Sequence, residues 1–101
     1  MLIEEARFRI EDSADGTCLL LAGEVDMLSR AEFSAAVERV FAARGEVALD
    51  FSGVTFMDSS GLQVLCVAHA KGPVRLRNLP DHVWQLLALT GLDEVFQIES
   101  E

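Results

Sequence analysis

The chain opens on a two-residue period. Ala6, Phe8 and Ile10 alternate with Arg7, Arg9 and Glu11, as expected for a strand with one face buried. Asp15 and Gly16 supply a turn, and the run from Cys18 to Ala22 is apolar throughout, so the pattern predicts an opening hairpin. Because its second strand lacks alternation, that strand is expected inside the sheet with both faces covered. The period then becomes helical: Phe33, Val37, Val40 and Phe41 share one face, while Arg30, Glu38 and Arg39 fall elsewhere. Ser29 stands three residues before Glu32, the spacing of a capping box, with Leu28 and Phe33 placed to form the accompanying staple. Gly45, following Arg44, is expected to end this helix.

Val47 to Phe51 reads as the next strand, and the chain continues through Ser52 and Gly53 to Met57 before Leu62, Leu65, Cys66 and His69 restart a helical period. Gly72 and Pro73 close that helix, Val74 to Leu79 alternates as a strand, and Pro80 opens a third helix. Val83, Leu86 and Leu87 form its buried stripe, and Trp84 beside them is read as packing, with an exposed contact as the alternative. Gly91 followed by Leu92 is a Schellman stop, and Val95 to Ile98 makes a last short strand. The order β-β-α-β-α-β-α-β predicts an α/β fold: a mixed, mostly parallel sheet with an N-terminal hairpin and right-handed crossover helices.

At 101 residues, half of them apolar, the chain supports one core, and residues 1–101 are read as a single domain. The net charge of −9 argues against direct nucleic-acid partners and anionic membrane surfaces. No apolar run approaches the ~20 residues needed to span a bilayer, and the opening segment, with Glu4 and Glu5, does not read as a secretory signal. A soluble, cytoplasmic protein is expected. Cys18 and Cys66 each lie in an apolar stretch and are read as reduced core residues. No paired Cys and His stand at ligand spacing, so no metal is assigned.

In a parallel α/β sheet, chemistry gathers where strands end and helices begin. Asp58-Ser59-Ser60-Gly61 stands at such an edge. Asp58 or Ser59 could do no more than cap the second helix. The wider string from Asp50 to Leu62 adds weight, as do Gly23-Glu24-Val25-Asp26 before the first helix and Leu89-Thr90-Gly91-Leu92 after the third. Across nearly its whole length the chain resembles the STAS domain family, and most nearly its anti-sigma factor antagonists.

The resemblance implies a protein that binds an anti-sigma factor which is also a serine kinase, releasing the sigma factor. That kinase would phosphorylate the serine directly after the motif aspartate, by match Ser59, and a metal-dependent serine phosphatase would restore the active form. Ser60 is the alternative acceptor. Glu24, Asp26, Asp58, Ser59, Ser60 and Gly61 are the expected partner-binding residues; for Glu24 and Asp26 the competing roles are solvation or help in capping near Ser29. Gly61 either lets a partner's backbone approach or relieves crowding where helix meets sheet. A phosphate on Ser59 would meet free N–H donors and the positive helix end while adding about −1.5 to −2 charge beside Asp58. The fold should stand while the partner is repelled. The connection from the second helix to Val74 is short, and the chain stops soon after the last strand where relatives often continue into another helix; a reduced module is expected.

Other classes fit less well. A hydrolase would use Ser59 with His69 or His82 as base and Asp58 or Asp81 to orient it, but Met57 to Gly61 lacks the first glycine of a nucleophile elbow. No catalytic residue is assigned. A phospho-aspartate receiver centred on Asp50 would need a lysine after a later strand, and the sole lysine, Lys71, ends a helix. Some STAS domains bind nucleotides, yet Gly53 to Gly61 lacks a P-loop lysine, which leaves nucleotide binding at most weak. The main alternative is a STAS subunit docked on an ABC transporter ATPase, or a signalling scaffold, without a phosphorylation switch.

Overall fold

The computed structural model describes residues 8–13 and 16–99; Ala6, Arg7 and Asp15 lie outside these. Strands β1 (Phe8–Ser13) and β2 (Gly16–Val25) form an antiparallel hairpin in which Ser13 faces Gly16. Helix α1 (Arg30–Arg44) leads to β3 (Val47–Met57), α2 (Ser59–Lys71) to β4 (Val74–Arg77), and α3 (Asp81–Thr90) through a 3-10 turn at Leu92–Glu94 to β5 (Gln97–Glu99). The sheet order is β1-β2-β3-β4-β5, with every pair after the first parallel. This is the anticipated α/β fold with its hairpin and crossover helices.

Successive crossovers of one hand that step in one direction put all their helices on the same face. Phe33, Val37 and Val40 of α1, Leu62, Leu65 and Ala68 of α2, and Val83 and Leu87 of α3 accordingly join Leu19, Leu21, Leu49, Phe51 and Leu76 in one core. Phe33 also stacks on Phe8, ring centroids 5.4 Å apart. The opposite face carries none of the described helices. Cys18 and Ala48 are buried there but stand outside that core, among Arg75, Arg77 and Glu99, which form ion pairs. The expectation for β2 is thus half met. It lies inside the sheet between β1 and β3, but only one of its faces is helix-covered, and Ala22 on the other is exposed.

The greatest departure from the sequence pattern is β3, which runs six residues past Phe51. Opposite Leu20 and Ala22 of β2 stand Asp50 and Gly53; opposite Gly23 and Glu24 stand Val54 and Phe56. Each step inserts one extra residue into β3, a β-bulge. Inward-facing residues therefore recur at Phe51, Val54 and Met57, every third position, which conceals the strand from any search for alternation. The Asp50 carboxylate accepts the Ser52 N–H at 2.8 Å within the first bulge. Gly53 is needed beside it, since a Cβ there would lie 2.9 Å from the Leu21 carbonyl oxygen.

Helix ends are mostly as expected. Gly45 and Gly91 adopt left-handed conformations, φ 75° at each, and return their N–H groups to the last turns. The capping box is absent: Ser29 makes no side-chain cap, and Leu28 is exposed while Phe33 is fully buried, so no staple forms. β4 stops at Arg77 because Asn78 turns to φ 55°, its amide donating to the Asp50 carboxylate at 2.9 Å. β5 begins at Gln97 because the Leu92 carbonyl takes the N–H groups of Val95 and Phe96. Cys66 is exposed, not a core residue, because the inward stripe of α2 runs through Gly61, Leu65 and Ala68, from which Cys66 is rotated away. Trp84 is exposed over 41% of its surface rather than packed, since the inward stripe of α3 runs through Val83 and Leu87, with Leu86 partly buried against the core beside them.

Candidate functional site

The carboxyl ends of β2 and β3 meet in one hydrogen bond: the Asp58 N–H donates to the Val25 carbonyl at 3.2 Å. Asp26 and Ser59 each stand one residue beyond this pair, so the two segments singled out by sequence share one edge.

On the β3 side, Asp58 has extended backbone angles and accepts the Ser60 N–H at 2.8 Å, while its carbonyl takes the N–H of Gly61 at 3.1 Å. It is the N-cap, as the simpler reading held. That role sorts the two serines. Ser59 becomes the first helical residue with its side chain exposed; Ser60, one step round the turn, is only 9% exposed. Gly61 is buried, and a Cβ there would sit 2.9 Å from both Val25 Cγ1 and Met57 Cε. Its glycine lets α2 seat against the sheet, so Ser60 and Gly61 support the site from beneath.

On the β2 side, Asp26 is half-buried and its carboxylate accepts the N–H groups of Leu28 at 3.0 Å and Ser29 at 3.1 Å. The fully buried Ser29 hydroxyl donates to the Glu24 carbonyl at 2.9 Å and accepts the Asp26 N–H at 3.0 Å. Asp26 thus helps to shape the turn before α1, and Glu24 is exposed on the last turn of strand. Sequence reasoning gave Leu28 a staple role and assigned none to Met27 or Phe56, and all three are exposed at this end. The available signal was two adjacent apolar residues between Asp26 and Ser29, of which a staple to Phe33 accounts for only one.

The pieces of the rival sites do not support them. His69, in the last turn of α2, meets the Phe96 ring edge-on at 5.4 Å, towards the other end of the helix from Ser59. His82 is exposed on α3, and Asp50 is held by Ser52 and Asn78. An open depression of about 250 Å³ lined by Gly16, Thr17, Arg44, Glu46 and Arg75 lies at the opposite end of the strands. No described helix is long and apolar enough to cross a membrane.

Comparison with known proteins agrees with this geometry. The family profile described as "Mlab, STAS domain" matches residues 8–98. The crystal structure of an anti-sigma factor antagonist from Mycobacterium paratuberculosis superposes with a TM-score of 0.82 at 25% identity, covering 90% of this chain and 82% of that one. The anti-sigma factor antagonist SpoIIAA in its unphosphorylated form gives 0.71 at 23% identity, covering 93% of this chain and 87% of that one. The Bacillus cell fate determinant SpoIIAA in its phosphorylated form gives 0.68 at 19%, covering 93% and 90%. The last two likenesses establish the fold.

Proposed function

The chain belongs to the STAS domain family, and from that premise we propose that it is an anti-sigma factor antagonist, a binding protein switched off by phosphorylation of Ser59. It would bind an anti-sigma factor that is also a serine kinase, free the sigma factor in its unmodified state, and be reset by a serine phosphatase in the cytoplasm. The observation that carries this reading is the exposed Ser59 hydroxyl on the first residue of α2, with Asp58 holding the neighbouring Ser60 N–H.

A phosphate at that place meets the positive end of the helix, so the domain stays folded. It also adds about −1.5 to −2 charge to an edge that already carries Asp58, Asp26 and Glu24. A docked surface that desolvates this edge would leave the added charge unpaired, which breaks binding without any internal refolding. The likeness of this fold to SpoIIAA in both unphosphorylated and phosphorylated forms accords with a modification that leaves the scaffold intact. Nothing in the proposed cycle asks the chain itself for catalysis.

The test is intact-mass and peptide mass spectrometry of the protein from its native cells, with the modified residue localised, combined with binding to the cognate kinase. Phosphate is expected on Ser59. Ser59→Asp should weaken binding by about 100-fold or more with an unchanged melting temperature. A chain unmodified under every growth condition, or Ser59→Asp binding as tightly as wild type, would replace the switch with a constitutive docking role.

A further inference from the structure

The turn between β2 and α1 displays two large apolar side chains to solvent: Met27 is 74% and Leu28 89% exposed. Single exposed apolar residues on a protein surface are ordinary. These two differ in being adjacent and in being held in place. The Asp26 carboxylate accepts the N–H of Leu28 at 3.0 Å and of Ser29 at 3.1 Å, and the Ser29 N–H also reaches the Asp26 carbonyl at 3.2 Å. The Ser29 hydroxyl, fully buried, ties the Asp26 N–H and the Glu24 carbonyl together from below. Seven polar groups of the turn are thus engaged in a conformation that aims Met27 and Leu28 away from the core. Leu28 stands where a staple residue would fold back onto Phe33, and the turn keeps it out.

The surroundings indicate what such a pair would meet. Phe56, opposite Glu24 in the sheet and 48% exposed, adds apolar surface at the same end. Residues 22–32 and 53–63, the two stretches that meet at the edge, contain Glu24, Asp26, Glu32 and Asp58 against a single base, Arg30. Of the other described basic side chains, Arg39, Arg44, Lys71 and Arg75 belong to the later parts of α1 and α2 and the start of β4, Arg77 is paired with Glu99, and Arg9 lies on β1 opposite Leu20. The Ser59 end is therefore acidic around an apolar projection. Its complement is an apolar socket ringed by lysine or arginine side chains.

Resting on the function proposed above, we infer that Met27 and Leu28 form a preorganised apolar anchor that enters a socket with a basic rim on the anti-sigma factor kinase, and that Asp26 acts as a positioning residue for this anchor. Because the turn is already fixed, binding orders little chain, and two buried apolar side chains at the centre of a contact can carry a large share of the affinity. The anchor and Ser59 flank the same strand ends, so one partner surface covers both. A phosphate on Ser59 is then forced against the partner whenever the anchor is seated.

The experiment is calorimetric titration of the full chain against each purified anti-sigma factor serine kinase of its native organism. Wild type should bind one of them. Met27→Ser combined with Leu28→Ser should weaken that binding by about 30-fold or more while the melting temperature stays unchanged, because neither side chain is packed. Asp26→Ala should weaken it by about tenfold, and Asp26→Asn, whose amide oxygen still accepts both N–H groups, should restore most of the loss. If the double variant binds within about threefold of wild type, the anchor is overturned and the proposed function stands. If Asp26→Asn binds as poorly as Asp26→Ala, the carboxylate is a direct charge contact, and its positioning role is overturned. If wild type binds none of the kinases, both the proposed function and the anchor fall.

Discussion

Helices α1 and α2 start from the same two residue types and treat them in opposite ways. Before α1, Asp26 stands three residues ahead of the cap position, so its carboxylate folds the preceding loop into a turn and Ser29 is drawn into the core with its hydroxyl bonded on two sides. Before α2, Asp58 is itself the cap. It takes the N–H of the second helical residue, Ser60, and leaves the first, Ser59, facing outward. One aspartate–serine pair locks a loop; the other presents a hydroxyl. The position of the carboxylate relative to the first helical turn separates a buried, structural serine from an exposed one.

The contrast can be broken at several strengths. Leu65→Ala removes a fully buried side chain beneath α2 and should cost about 2–5 kcal/mol, read from the denaturation midpoint. It loosens the seat of the exposed serine more than any change at the surface. Ser29→Ala should cost about 1–3 kcal/mol, because the Glu24 carbonyl and the Asp26 N–H lose a buried partner. Asp58→Ala should cost about 1 kcal/mol for the lost cap, with faster hydrogen exchange at the Ser60 amide. Ser59→Ala should stay within about 0.5 kcal/mol of wild type. Equal costs for the Ser29 and Ser59 variants would erase the distinction between the two helix starts.

The smallest effect concerns a contact between the same helices, away from their starts. Lys71, at the end of α2, donates to the Glu38 carboxylate of α1 at 2.8 Å. That hydrogen bond, and then the lysine charge, hold the Glu38 carboxyl below the usual carboxylate range. A carboxyl lowered in the folded state stabilises the fold above its unfolded-state pKa and loses that contribution as pH falls through the folded-state value. Because the pair is exposed and screened by solvent, Lys71→Met should return the Glu38 titration, followed by NMR, to the ordinary range with no measurable change in melting temperature.

Much of the architecture was legible because local chemistry and global fold agree. Phe33, Val37 and Val40 announce a helix face, Gly45 and Gly91 mark its kind of ending, and the alternation of helical and strand-like segments implies parallel crossovers. Illegible were the features that depend on a neighbour. The bulges of β3 are set by its register against β2, so its buried residues take a three-residue spacing that no isolated strand has. The sidedness of β2 was hidden because a continuous apolar run is common to strands covered on one face and on two. Cys66 and Trp84 each lie one step off an inward stripe, and the width of a stripe depends on what packs against it.

The candidate site divides in the same way. The sequence by itself determined the order of elements and the acidic residues beside each of the two loops, since these follow from residue type and spacing, while the stretch from Asp58 to Leu62 took its weight from a family resemblance. Only the tertiary structure decided that Asp58 lies against Val25, that Ser59 faces out while Ser60 and Gly61 face in, and that Met27 and Leu28 project where a staple was expected. The reason is physical. Periodicity specifies which residues share a face, but exposure is fixed only when strands distant in the chain pair, as where the Asp58 N–H meets the Val25 carbonyl, and when the Asp26 and Asp58 carboxylates bind the turns that follow them.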